Sequence, residues 1–171
     1  MYASWKNYRW GLETVRLLLE GGANTNAQDD DGWTALMHTT YDRADSPPDY
    51  SAELMRILLK AGADPNKQEQ DGETALMIAI GVNPEAVANK EEMERTEAMV
   101  SVLLCNGADP NKQNNDGETA LMYAAVNSDR RCLETVRLLL ENGADPNIMD
   151  KEGDTALMKA VEAAIPRTHI V

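Results

Sequence analysis

One seven-residue pattern, D-G-x-T-A-L-M, restricts this chain more than any other feature. It begins at Asp31, Asp71 and Asp116, and a diverged copy runs from Glu152 to Met158. A second string, G-A-D-P-N, follows the first three copies at Gly62, Gly107 and Gly143, and a diverged form, Gly22-Ala-Asn-Thr-Asn26, precedes them all. The nine residues Leu12 to Glu20, LETVRLLLE, recur unchanged at Leu133 to Glu141. A unit this short cannot bury an apolar face alone. Copies must stack, so the core is expected to run along an axis rather than around a centre.

Each string has a mechanical reading. Thr34, Thr74, Thr119 and Thr155 stand before short helical segments, where a hydroxyl can accept from unpaired N–H groups and the next residue, Ala, favours helix. In the second segment Leu133, Val136, Leu139 and Leu140 fall on one stripe of a helix too short to persist alone. Gly62, Gly107 and Gly143 take the left-handed position that ends such a helix, and the Pro two residues later prevents its resumption. The polar stretches from Asn66 to Gly72 and from Asn111 to Gly117 predict projecting turns. Each unit therefore reads as turn, helix, helix.

These residues resemble ankyrin repeats: T-A-L-M-x-A stands where that family has T-P-L-H-x-A, and L-L-L-x-x-G-A-D-P-N is similar to its second-helix ending. The resemblance implies an all-α solenoid of stacked helix pairs with β-turn or hairpin tips along one edge and a concave face made by the first helices. It covers nearly the whole chain, 1–171, as one array. A partial repeat (1–30) is followed by full repeats at 31–70, 71–115 and 116–151 and a partial repeat at 152–171. Ala replaces the family's Pro, and Met37, Met77, Met122 and Met158 replace its His, so the four methionines are expected to stack between first helices as core. The family analogy puts partner contacts on the tip residues Gln28, Asp30, Asp31 and Trp33; Gln68, Gln70, Asp71 and Glu73; and Gln113, Asn115, Asp116 and Glu118. His38, Ile78, Tyr123 and Lys159 should line the inner face.

The glycines Gly32, Gly72, Gly117 and Gly153 are 40, 45 and 36 residues apart, against a family period of about 33. The excess falls between the two helices of a unit. At 42–50, Ser46-Pro47-Pro48-Asp49 predicts an irregular loop. At 83–97 no breaker follows Pro84, which suits a first helical position, so a short extra helix or a longer second helix is expected. Leu12 to Glu20 is a second helix preceded by too few residues for a first, and Thr155 to Ala164 is a first helix with no partner before Pro166. Tyr2, Trp5, Tyr8 and Trp10 are expected to pack as a cap over the first repeat rather than to form a binding patch.

Composition removes several function classes. A net charge of -13 repels a phosphate backbone, so nucleic acid is not an expected partner and a basic protein or peptide is. There is no apolar run of membrane-spanning length and no signal-peptide core at Met1, which predicts a cytoplasmic or otherwise intracellular protein. Cys105 and Cys132 form no C-x-x-C unit, and neither His38 nor His169 has a cysteine near it in sequence, so no metal, cofactor or nucleophile-base pair is expected. A calcium loop at Asp29-Asp-Asp-Gly-Trp fails because Ala27 and His38 occupy its first and twelfth ligand places.

The expected function is a non-enzymatic scaffold that binds a protein or peptide along the tips and the concave face. The alternative is a regulatory or targeting segment of a larger enzyme or secreted effector. Across the tips 28–33, 68–73, 113–118 and 149–154 there are eleven acidic side chains and one basic one, Lys151, and Trp33 replaces the acid found there in the other three.

Overall fold

The computed structural model describes residues 2–40, 47, 49–81, 90–126 and 131–165, with side chains omitted at 2–8, 90–93 and 131–132. Among these residues there are eight helices and no sheet: α1 (Tyr2–Glu20), α2 (Ala35–His38), α3 (Tyr50–Lys60), α4 (Ala75–Gly81), α5 (Lys90–Cys105), α6 (Ala120–Val126), α7 (Arg131–Glu141) and α8 (Ala156–Ala164). The first helices α2, α4, α6 and α8 alternate with the second helices α3, α5 and α7. The four connecting fingers span 27–34, 67–74, 112–119 and 148–155.

The first helices start where the threonines predict. Thr34, Thr74, Thr119 and Thr155 each accept from the backbone N–H three residues on, at 3.3 to 3.4 Å. α2 is only four residues long, because the Thr39 and Thr40 hydroxyls bond the carbonyls of Leu36 and Met37 and compete with its continuation. The second helices end at the expected glycines. Gly107 has φ 87°, and Ala108 N donates to Leu103 O across it, with the same closure at Gly62 and Gly143.

Burial follows the axis of the stack. Leu36, Met37, Leu76, Met77, Leu121 and Met122 are almost wholly buried between successive helix pairs. Met158 departs from the expectation, because it is 52% exposed on α8, where no second helix or further unit covers it among the described residues.

The extra residues at 83–97 bear on α5, which has sixteen residues against eleven in α3 and α7. The insertion lengthens a second helix from Lys90 onward, while 83–89 lie outside the described residues. Most of the 42–50 loop and His169 also lie outside them. The aromatic cap is not seen at Trp10, whose side chain is 70% exposed on a single continuous α1. The side chains of Tyr2, Trp5 and Tyr8 lie outside the described set.

A ladder of asparagines ties the units together. Asn26 Nδ2 donates to Gly62 O and Asn26 Oδ1 accepts from Asp64 N, at 3.0 and 2.7 Å. Asn66 repeats this with Gly107 and Asp109, and Asn111 with Gly143 and Asp145. Each satisfies a carbonyl and an N–H freed by the preceding helix end. The fifth residue of G-A-D-P-N therefore sets the distance between neighbours.

Candidate functional site

Each finger is built around one side chain near its start. Asp29 Oδ1 accepts from Asp31 N and Trp33 N, at 3.1 and 2.8 Å. Glu69, Asn114 and Asp150 do the same for the second and fourth residues after them. The sequence reading missed these four as a set. The signal was present, because an acid or amide stands five residues before every capping threonine and can replace a backbone turn acceptor.

The fingers are pinned to one another through their backbones. Asp31 O accepts from Gln70 N, Asp71 O from Asn115 N and Asp116 O from Lys151 N, at 2.8 to 3.1 Å. Gln28 Nε2 donates both to Gly32 O in its own finger and to Gln68 O in the next; Gln68 and Gln113 repeat the pattern down the row. Gln70 Nε2 donates to Asp30 O and Asn115 Nδ2 to Gln70 O. Five of the residues expected to meet a partner, Gln28, Gln68, Gln70, Gln113 and Asn115, thus stitch fingers together. An amide with two N–H donors is well suited to bridge two carbonyls.

The inner-face residues divide in the same way. Ile78 is corrected: at 4% exposure it belongs to the core, since an isoleucine gains more by burial than by facing water. Tyr123 donates to Glu73 and accepts from Asn114 Nδ2, which also reaches Glu118. Lys159 Nζ lies 3.1 Å from Glu118 and 2.7 Å from Asp150. Glu73, Tyr123, Glu118 and Lys159 form one internal polar chain across three units. Burial and the Glu73 carboxylate together raise the Tyr123 phenol above its ordinary range.

A column of acids stands exposed along the finger edge. Asp31, Asp71 and Asp116 occupy the same turn position in successive fingers, each exposed, and exposed Glu152 continues the column. Asp30 is exposed beside Asp31. At the first finger, Trp33 is half-buried against the core, and its ring stands 5.3 Å from that of His38 at 41°. His38 Nε2 is 3.0 Å from Asp29 Oδ2. The Trp33 N–H lowers the Asp29 pKa most, and burial opposes the shift.

Asp150, Glu152 and Asp154 can bring one carboxylate oxygen each within 4.8 Å of one another. Asp150 is already committed to the Lys159 ammonium and to two backbone N–H groups.

A family model described as ankyrin repeats (3 copies) matches residues 1–89 and 88–169. The chain belongs to the ankyrin-repeat family. No match is found among curated proteins. Ankyrin repeats are in general protein-protein interaction modules. Among the described residues of this ankyrin chain, no helix is long and apolar enough to cross a membrane.

The Asp150–Lys159 pair gives the ankyrin stack a pH dependence of defined sign. The Lys159 ammonium holds the Asp150 carboxyl below its usual range, helped by the Asp154 N–H and opposed by burial. Asp150 holds Lys159 above its usual range. The carboxylate's contribution is present above its unfolded pKa of about 3.9 and is lost as pH falls through the lower folded value; the lysine's is lost in strong base. Lys159→Met is expected to lower the urea midpoint at about pH 7, with the gap to wild type closing in acid. An equal gap at neutral and strongly acid pH would attribute the loss to packing instead.

Proposed function

We propose that this ankyrin array is a non-catalytic module that binds a basic protein or peptide along its finger edge and the adjoining inner face. The observation that carries the reading is the column Asp31, Asp71, Asp116 and Glu152. These acids are exposed, and they sit on fingers held in register by backbone hydrogen bonds. Carboxylates at fixed spacing on rigid turns lose little freedom on binding, and their summed field steers a cationic partner. Trp33 and His38, at one end of the column, supply an aromatic surface beside it.

Selection from a peptide library of graded net charge tests this, followed by association rates measured against salt. Lysine- and arginine-rich peptides are expected to be enriched, with association slowing as salt screens the field over about 8 Å. Replacing Asp31, Asp71 and Asp116 together by Asn should slow association by about tenfold at low salt. Trp33→Ala should mainly speed dissociation, by a factor equivalent to about 2 kcal/mol. Selection of neutral peptides, with rates indifferent to salt and to both variants, would leave the acidic column as a solubility feature.

A further inference from the structure

The nine-residue duplication offers an internal comparison. In α7, Leu139 is fully buried and Leu138 packs on the core; in α1 the same residues of the same nonapeptide, Leu18 and Leu17, are each 60% exposed. Sequence cannot cause that difference, so environment must. α7 packs on the first helix α6 of its own unit, whereas α1 is one helix from Tyr2 to Glu20 with no first helix before it among the described residues. The place of a first helix before α2 is an apolar groove of about 400 Å³, lined by Val15, Leu18, Leu19, Ala35, Leu54 and Leu58. Ala35 is exposed there, although its counterparts Ala75, Ala120 and Ala156, each with a first helix before it, are buried.

The other end of the stack shows the opposite lack. α8 is a first helix with no second helix among the described residues. Its Leu157 is 71% exposed and Met158 52%, while the counterparts Leu36, Leu76, Leu121, Met37, Met77 and Met122 are at 1 to 3%. The end contacts are matched as well. Asn147 turns back on Asp145 Oδ1 at 3.1 Å, where Asn26, Asn66 and Asn111 reach the next unit. A β-carbon on Gly32, Gly72 or Gly117 would meet the next finger's backbone at 2.7 to 3.0 Å, but one on Gly153 would meet nothing.

We propose that the two ends complete each other between copies: α8 of one chain seats in the groove beside α1 of a second, and together they form one whole repeat. The occupant is a second copy because the segments required are ones that already pair within the chain. T-A-L-M of α6 packs beside LETVRLLLE of α7; α8 carries the same T-A-L-M, and α1 carries the same LETVRLLLE. Asn147 then bonds Gly22 O and Asn24 N of the second copy, as Asn111 bonds Gly143 and Asp145. The interface joins different faces, so it propagates head to tail unless the ring closes. Both chains are acidic, so salt strengthens the association by screening their repulsion. That sign is opposite to the one expected for a basic partner at the fingers.

Sedimentation velocity of the full chain across a wide concentration range provides the test, with Leu18→Glu and Leu157→Glu. Both positions are exposed in one copy, so circular dichroism should show both variants folded. The wild type is expected to grow in mass with concentration, and more so at higher salt. Either variant alone should stay monomeric, because a carboxylate would be buried at the joint and weaken it by more than about tenfold. Mixed one to one, each variant still has the end the other lacks, so a heterodimer and nothing larger is expected. A wild type that remains monomeric, a single variant that associates as well as wild type, or a mixture that forms no heterodimer would overturn the proposal.

Discussion

Met77→Ala is expected to lower the unfolding free energy by about 2–5 kcal/mol, the range for removing a buried Met side chain from a site that cannot collapse. Met77 is 1% exposed, and its neighbours on α4, Leu76, Ile78 and Ala79, are buried with it. The backbone around it is held by the Thr74 cap, which limits relaxation into the space left behind. Met122→Ala should behave alike, since Met122 holds the same place on α6 at the same exposure. Met158→Ala is the internal control. The same residue in the same T-A-L-M context is half-exposed, so its loss should cost about 0.5 kcal/mol or less. Urea melts of the three variants decide it. Equal costs at Met77 and Met158 would show that side-chain burial along the axis does not hold the stack together.

Gly72→Ala should cost about 2–4 kcal/mol, and more than Gly107→Ala at about 1–2 kcal/mol. Both glycines have left-handed backbones, at φ 79° and 87°, so each substitution carries the same local strain. They differ in what a β-carbon would meet. At Gly107 there is open space, but at Gly72 it would lie 2.7 Å from the backbone nitrogen of Asn115 in the next finger. Backbone cannot rotate away as a side chain could. Accommodation would require the bond from Asn115 N to Asp71 O to lengthen, along with the Gln68 bridge between the same two fingers. The comparison of the two variants by urea unfolding isolates finger contact from backbone strain. Equal losses would mean that the fingers do not bear on one another.

The local rules were readable because they act over a few residues. A hydroxyl three positions before an N–H caps it, and a glycine after the last helical turn takes the left-handed position. Thr74 and Gly107 need no knowledge of the rest of the fold to be assigned these roles. Repetition then supplied the architecture, since units that cannot bury a face alone must stack. The candidate site was harder. Gln28, Gln68 and Gln113 read as tip residues open to a partner, yet each reaches a carbonyl 36 to 45 residues away. Polar residues at a turn look alike in sequence whether they face water or the next finger.

The sequence by itself determined where the first helices α2, α4, α6 and α8 begin and where the second helices α3, α5 and α7 end, because those boundaries are set by hydrogen bonds within one turn of the chain. Tertiary structure alone decided which copy of a repeated residue is buried. Leu18 and Leu139 stand in identical nonapeptides, and Met122 and Met158 in identical T-A-L-M strings, yet one of each pair is in the core and the other faces solvent. Burial is a property of neighbours, and neighbours along a stack come from other units.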